Sequence, residues 1–199
     1  EVPRHIYRMC QEDDRIEVVA ISDLGQPEIL AYLVGAETKG KKTAKLEGNF
    51  LVSQNGKARF VGGGEPGKIP WDMFDVDIVV DGTDNLQIKY LINDACVVSK
   101  KPLVYGSLYK YDGYVATFNV LNGDGDYTCN LRDAFPTIAS DIPNCETAGT
   151  MNPIVGIIAM LQVNEVIKLI TKTGKLLTNQ LLIYNVLENS QLKMKLKKF

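Results

Sequence analysis

The nine residues 77–85 constrain this chain more than any other stretch. The apolar run 78–80 stops at an Asp-Gly pair, and the polar residues 83–85 then precede a long helix-forming segment. This order is typical of a buried parallel strand, a tight turn and a helix N-cap. Ligands of open α/β sheets bind beyond the carboxyl ends of such strands. We therefore expect Asp81 and Asp84 at a binding edge of the sheet.

Composition is that of an ordinary globular protein and argues against several functions. Of the 199 residues, 45% are hydrophobic and 23% are charged, and the formal net charge is −2. These values are typical of a folded chain with its own core. The small negative charge argues against nucleic acid or an anionic membrane as a partner. Polar residues interrupt even the most apolar segment, 153–170, so no run reaches the roughly 18 residues that span a bilayer.

The cysteines indicate a reducing compartment. There are four, irregularly spaced and without a CxxC pair: Cys10, Cys96, Cys129 and Cys145. Disulfide frameworks and structural zinc sites both use characteristic cysteine spacings. We therefore expect free thiols, a cytoplasmic location and no zinc site.

The first portion of the chain predicts a βα unit. The apolar run 17–21 predicts a buried strand that ends near Asp23, and a helix with proline at its first position follows over about 27–34. In dinucleotide-binding folds an acid at this place accepts hydrogen bonds from the adenosine ribose. Asp23 is therefore a candidate nucleotide ligand, and capping of the next turn is the alternative. Residues 36–67 predict β-hairpins, and the GxGxxG match at their end opens no helix.

Several segments of this portion share a pattern with one enzyme family. They are Arg4, 18–24, 27–30, 69–71 and 76–80. Through them, residues 1–82 resemble the NAD-binding segment of glyceraldehyde-3-phosphate dehydrogenases, which implies NAD as an alternative cofactor. The sequence contains neither that family's first strand and glycine-rich pyrophosphate loop nor its catalytic Ser-Cys-Thr-Thr-Asn peptide. This half therefore has neither a complete cofactor cradle nor a nucleophile for dehydrogenase chemistry.

From residue 77 onward the pattern predicts a second α/β half. Residues 84–100 predict a helix whose apolar face comprises Leu86, Tyr90, Leu91, Ala95 and Val98. The later elements are short strands at 102–107 and 113–120, a long loop at 122–150, a nearly apolar helix at 153–172 and two closing strands. We expect a Rossmann-like α/β fold: a mainly parallel sheet with helices on both faces and additional antiparallel strands at the C-terminal end.

A series of motifs in the second half occurs in the order found in one family. They occupy 81–85, 90–96, 101–107, 132–136, 143–149, 155–158, 161–162 and 165–170. Together they make residues 77–199 resemble the ThiF/MoeB/HesA family, relatives of ubiquitin-activating enzymes. The chain is thus predicted to join a dehydrogenase-like half, 1–82, to a ThiF/MoeB-like half, 77–199.

The ThiF/MoeB resemblance implies a reaction and a set of residues. Such enzymes use MgATP to adenylate the C-terminal carboxylate of a ubiquitin-like sulfur-carrier protein that ends in Gly-Gly. The resemblance implies that Gly82, Thr83 and Asp84 bind the nucleotide and that Asp84 also binds Mg²⁺, for which a carboxylate is a suitable ligand. It also implies that Cys145 accepts the activated acyl group or sulfur. Because the helix at 153–172 is nearly apolar, we also expect a homodimer through it.

Plainer interpretations of the same residues remain open at this stage. Asp84 is also suited to N-capping, and Cys145 to packing as a small apolar residue. The ThiF family's glycine-rich ATP loop and its triphosphate-binding Arg and Lys have no counterparts that can be assigned residue by residue. Two alternative functions follow: a non-catalytic module that binds a ubiquitin-like protein, and an NAD-binding dehydrogenase-like fragment.

Overall fold

The computed structural model of the protein describes most of the chain. The described residues are 2–23, 25–37, 44–53, 56–62, 75–137 and 150–198. The chain divides into two compact units, an N-terminal unit of residues 4–76 and a C-terminal unit of residues 77–199 together with 1–3. Each unit has its own sheet and its own hydrophobic core.

The N-terminal unit contains a four-stranded sheet in the order β1-β4-β3-β2. Its elements are α1 (Val2–Cys10), β1 (Ala20–Asp23), α2 (Pro27–Glu37), β2 (Lys45–Glu47), β3 (Phe50–Ser53) and β4 (Gly56–Gly62). β1 pairs with β4 in parallel, and the other two pairs are antiparallel. The core joins Tyr7 of α1 and Val34 of α2 to Leu51 and Ala58 of the sheet. Asp23 is thus the last residue of β1, at the strand's carboxyl end.

The C-terminal unit contains a five-stranded sheet in the order β5-β6-β7-β8-β9. Its elements are β5 (Val79–Asp81), α3 (Leu86–Ser99), β6 (Leu103–Tyr109), β7 (Asp112–Phe118), α4 (Leu131–Ala134), α5 (Asn152–Thr171), β8 (Gln180–Asn185) and β9 (Ser190–Lys195). β5 and β6 are parallel, and the remaining pairs are antiparallel. This arrangement confirms the mixed α/β class, with parallel pairing limited to one pair in each sheet among the described residues.

The two long helices of the C-terminal unit cover opposite faces of its sheet. Tyr90 of α3 packs with Ala116 of β7, whereas Ile158 of α5 packs with the adjacent residue, Val115. Neighbouring strand residues point to opposite faces, so α3 and α5 lie on different sides. By length and composition α5 could cross a membrane, but one side of it lies against the sheet, as in a core helix.

The predicted loop 122–150 contains a short helix that periodicity did not indicate. α4 begins after Asn130, whose side chain accepts from the backbone of Arg132, while the Asp133 side chain accepts from the Asn130 amide. This reciprocal capping stabilises a single helical turn. Four residues are too few to display a 3.6-residue repeat, which is why the prediction of an irregular loop was wrong at this point.

Gly113 leaves room for α5 to approach the sheet. A Cβ at this position would lie 2.3 Å from Ile158 Cγ1 and 2.4 Å from its Cδ1. We expect Gly113→Ala to lower the free energy of unfolding by about 1–3 kcal/mol, because overpacking displaces the helix or its side chains. Urea denaturation measures the loss.

Gly123 provides the matched control, because nothing lies within 4 Å of the Cβ that Gly123→Ala would add. In an Ile158→Ala background the Gly113→Ala change should cost little, since the colliding atoms are gone. Equal losses from Gly113→Ala in both backgrounds would contradict the steric explanation.

Candidate functional site

The site is built around the carboxyl end of β5. Asp81, the last residue of β5, is buried, and its two carboxylate oxygens have separate partners. Oδ1 accepts hydrogen bonds from the Thr83 amide at 2.9 Å and from the Thr83 hydroxyl at 2.8 Å. Oδ2 accepts one from Lys89 Nζ at 2.9 Å. Asp81 is therefore committed to the structure of the turn rather than open to a ligand.

Lys89 is a buried cation within α3 that the sequence prediction missed. Its side chain is 4% exposed, and its ammonium donates to Gly106 O at 2.6 Å as well as to Asp81. The ammonium also lies 5.2 Å from the centre of the Tyr105 ring. Lysine is rarely buried without a partner, and here one carboxylate and one carbonyl satisfy it. The sequence contained one indication of this burial: Lys89 lies between Ile88 and Tyr90 near the start of an apolar helix.

Gln162 ties the same turn to α5. Its Nε2 donates to Asp81 O at 2.7 Å and lies 3.3 Å from Val104 O. The amide fits because Gly106 has no side chain: a Cβ there would lie 2.5 Å from Gln162 Cδ. β5 and β6 are thus joined through one side chain of the facing helix.

Asp84 is exposed at the N-terminal end of α3, beyond β5. The N-cap of α3 is its neighbour Asn85, whose Oδ1 accepts from the Ile88 amide at 3.0 Å. The capping role that could have explained Asp84 therefore belongs to Asn85. Within the part of the chain that the structure describes, the Asp84 carboxylate has no hydrogen bond or ion pair. A carboxylate in this position can act as an oxygen ligand for a hard cation.

Gly82 and Thr83 complete the turn between β5 and α3. Both are partly buried. Thr83 donates both its amide and its hydroxyl hydrogen to Asp81 Oδ1. Its hydroxyl oxygen can therefore still accept a hydrogen bond. The turn is therefore fixed from within, and Asp84 follows directly from its fixed end.

Asp23 has a local role in the N-terminal unit. Its Oδ1 accepts from the Gly25 amide at 2.7 Å, so one oxygen caps the turn after β1. This is the alternative that the sequence left open for Asp23. Ribose binding by its other oxygen stays a prediction.

Three of the four thiols are unsuited to nucleophilic chemistry. Burial raises the pKa of Cys96 to about 12, with a smaller contribution from the negative charge of Asp81. Burial also raises the pKa of Cys10 to about 11 and raises that of Cys129. These thiols stay protonated at neutral pH, and the thiolate is the reactive form. The fourth, Cys145, lies outside the described residues, and its role stays a prediction.

The chain leading towards Cys145 is anchored to α3. Tyr90 Oη donates to Phe135 O at 2.7 Å. Arg132 makes two hydrogen bonds to Asp94, of 2.7 and 2.6 Å, and these hold the pKa of the Asp94 carboxyl below its usual range. α4 and the residues just after it are therefore fixed to the same helix that begins beside Asp84.

Comparison with known protein families gives two matches. The sequence model of the ThiF family matches residues 67–199, two thirds of the chain. The chain belongs to the ThiF family. A second model, described as the NAD-binding domain of glyceraldehyde 3-phosphate dehydrogenase, matches residues 2–89, consistent with the resemblance seen there. The two matches overlap over 67–89, the segment that contains β5 and the start of α3.

Curated relatives of this ThiF-family chain are adenylyltransferases. It is 44% identical over 112 residues to the adenylyltransferase and sulfurtransferase MOCS3 of Dictyostelium discoideum, covering 55% of this chain and 25% of that protein. It is 37% identical over 116 residues to the sulfur carrier protein adenylyltransferase of Thermus thermophilus, covering 57% of this chain and 43% of that protein. The chain thus spans less than half the length of either relative.

Solved structures support the same fold. The structure of E. coli MccB with ATP superimposes with a TM-score of 0.67 at 14% sequence identity, covering 100% of this chain and 62% of that one. The structure of MccB with the peptide MccA-N7isoASN gives a TM-score of 0.67 at 13% identity, with the same coverages. At this level of identity the likeness is one of fold, and it agrees with the ThiF-type architecture.

Proposed function

We propose that this ThiF-family chain carries part of an adenylyltransferase site that activates the C-terminal carboxylate of a ubiquitin-like sulfur-carrier protein with MgATP. The observation that carries the proposal is the exposed Asp84 carboxylate, which stands at the exit of a parallel strand while Asn85 serves as the N-cap. The relatives that are named as adenylyltransferases support the reaction class.

Asp84 fits a magnesium ion because its carboxylate is a hard oxygen ligand and has no partner among the described residues. When bound, the metal offsets the negative charge of the phosphates and of the attacking carboxylate. Asp84 would hold the metal at the end of β5. The turn residues Gly82 and Thr83 position Asp84 there. A carboxylate oxygen of the carrier attacks the α-phosphorus of ATP and pyrophosphate leaves, which gives the carrier acyl-adenylate.

Pyrophosphate exchange tests this function. Labelled pyrophosphate should enter ATP when the chain is mixed with MgATP and a carrier that ends in Gly-Gly, and omission of the carrier should prevent it. A carrier that lacks the terminal glycine is the matched control. No exchange with any Gly-Gly carrier would contradict the proposal.

Partner binding without ATP chemistry is a second candidate. It is favoured by exposed apolar residues on the outermost strand of the C-terminal sheet, Leu192 at 61% and Met194 at 40% exposure. They pair with Ile183 and Leu181 and so lie on the α3 side of the sheet. Calorimetry that detects carrier binding but no ATP binding would favour this candidate over catalysis.

NAD binding is the third candidate, favoured by the match of residues 2–89 to a dehydrogenase NAD-binding domain. Asp23 is the residue that would contact the ribose, although its Oδ1 already holds the Gly25 amide. Calorimetric titration with NAD tests it directly. Binding that is lost in Asp23→Ala would support this candidate.

The outer side of α5 supports a homodimer. Residues that recur at helical spacing line an open apolar groove there: Pro153, Gly156, Ile157, Met160, Leu161 and Asn164. Met160 is 48% exposed, and the space around the missing Cβ of Gly156 is open. An antiparallel copy would place Met160 of one helix against Gly156 of the other, a self-complementary contact of the kind that two-fold dimers use.

We expect Met160→Lys to convert the dimer to a monomer. Two lysines would be buried without partners, which should raise the dimer Kd by at least about 100-fold. Sedimentation equilibrium measures it. Leu187→Lys, at an exposed residue of the turn between β8 and β9, is the control and should leave the dimer intact. A wild-type chain that sediments as a monomer would contradict the proposed interface.

A further inference from the structure

We propose that Lys89 and Asp81 form a positioning pair that fixes where Asp84 points, an inference that rests on the proposed function for its catalytic consequence. The pair is held by a 2.9 Å hydrogen bond between two side chains that are 4% and 0% exposed. Taking two charges out of water is costly, and apolar residues of similar volume would often stabilise a core as well or better. The use of a charged pair at this buried place points to a role in fixing the geometry of the turn.

The hydrogen bonds around the pair close into a ring. Asp81 Oδ1 holds Thr83, Asn85 O accepts from the Lys89 amide at 3.0 Å, and Lys89 Nζ returns to Asp81 Oδ2. The exposed Asp84 therefore lies between the end of β5 and the start of α3, and the Lys89 ammonium links these two elements. Rotation of the turn would break at least one of these bonds.

Two further contacts fix the ring within the C-terminal unit. Lys89 Nζ donates to Gly106 O on β6, and Gln162 Nε2 of α5 donates to Asp81 O. The Tyr105 ring and the buried surroundings leave the ammonium a tight site. The Lys89 ammonium donates to the Asp81 carboxylate and to the Gly106 carbonyl at the same time. The ring therefore depends on this buried cation.

Neutralising the pair tests its role without leaving a buried charge. In the double variant Asp81→Asn with Lys89→Met, the Asn carbonyl oxygen can still accept from Thr83, but the link to α3 is lost. We expect the amides of residues 83–88 to exchange hydrogen at least about 10-fold faster, while β7 amides such as Val115 keep their protection. This measurement does not depend on any activity.

The kinetic consequence is a fall in kcat without a matching change in KM. We expect the double variant to lower kcat for pyrophosphate exchange by about 100-fold, because a small displacement of Asp84 is enough to do so. KM for the carrier should stay within about twofold, since the buried pair cannot contact the carrier. Lys110→Met, at an exposed lysine, is the control and should change neither quantity.

The outcomes separate the two proposals. Faster exchange at 83–88 with low kcat supports the positioning pair. Unchanged amide exchange, or an unchanged kcat in an active enzyme, overturns it. A uniform loss of protection across the C-terminal unit would assign the pair a purely structural role and also overturn it. An inactive wild type would contradict the proposed function, and the amide exchange would still decide whether the pair orders the turn.

Discussion

Asp84→Ala is expected to lower the kcat of carrier-dependent pyrophosphate exchange by at least about 100-fold, the usual scale for loss of one preorganised electrostatic group. The carboxylate is exposed and has no partner among the described residues, so its removal should not unfold the protein. The melting temperature should therefore match that of the wild type. The measurement is exchange at saturating MgATP, accompanied by a thermal melt of each sample.

Asn85→Ala is the matched control at the adjacent position. It removes the side chain that caps α3 and should cost about 1 kcal/mol of stability. It leaves the Asp84 carboxylate in place, so exchange should fall far less than in Asp84→Ala. The proposed role of Asp84 fails if exchange is unchanged in Asp84→Ala. It also fails if the two variants lose activity in proportion to their loss of stability.

Glu165→Ala is expected to destabilise the C-terminal unit by about 3–5 kcal/mol, because it removes one member of a buried ionic network. Glu165 lies on α5 and is 1% exposed. Its Oε2 accepts from Thr117 Oγ1 at 2.6 Å and from the Leu177 amide at 2.8 Å, and its Oε1 pairs with Lys168. The change leaves the Thr117 hydroxyl and the Leu177 amide buried without their acceptor. Urea denaturation followed by circular dichroism measures the loss.

Lys168→Met separates the ion pair from the hydrogen bonds. The Lys168 side chain is 18% exposed and Glu165 keeps both of its buried hydrogen bonds, so Lys168→Met should destabilise the unit less than Glu165→Ala does. The two buried donors would keep Glu165 as their acceptor. If Lys168→Met and Glu165→Ala proved equally destabilising, the ion pair would dominate. That result would contradict the larger contribution assigned to the buried hydrogen bonds.

The sequence predicted the elements of the C-terminal unit well but not the face that α3 buries. The helix was predicted over 84–100 and occupies Leu86–Ser99. The apolar face assigned to it was wrong at Leu91 and Val98, which are 40% and 84% exposed. The buried positions include Lys89 and Asn93, which a hydrophobic pattern assigns to solvent. Lys89 has its partners on β5 and β6, and the Asn93 side chain accepts from the Leu131 amide. Hydrophobic periodicity gives no information about such tertiary contacts.

The candidate site was predictable in part. Local pattern indicated a strand, a turn and a helix at 77–85, and the motif directed attention to Asp84. It did not show which of the polar residues 83–85 caps α3; the structure assigns that role to Asn85. Without the motif, the local pattern did not distinguish Asp81 from Asp84, although one is buried in an ion pair and the other is exposed. That distinction depends on Lys89, eight residues further along the chain.

The ring that links Asp81, Thr83 and Lys89 bears on where two sequence families can share one segment. The hydrogen bonds of the ring all lie within nine consecutive residues, so one short stretch of the gene encodes them. The dehydrogenase-type and ThiF-type matches both include this piece, since they overlap over residues 67–89. A recombination event upstream of it could exchange everything on the N-terminal side and still deliver a correctly formed turn. The outside contacts of the ring, with Gly106 and Gln162, also come from the C-terminal side, so the N-terminal sequence is free to differ without loss of the turn.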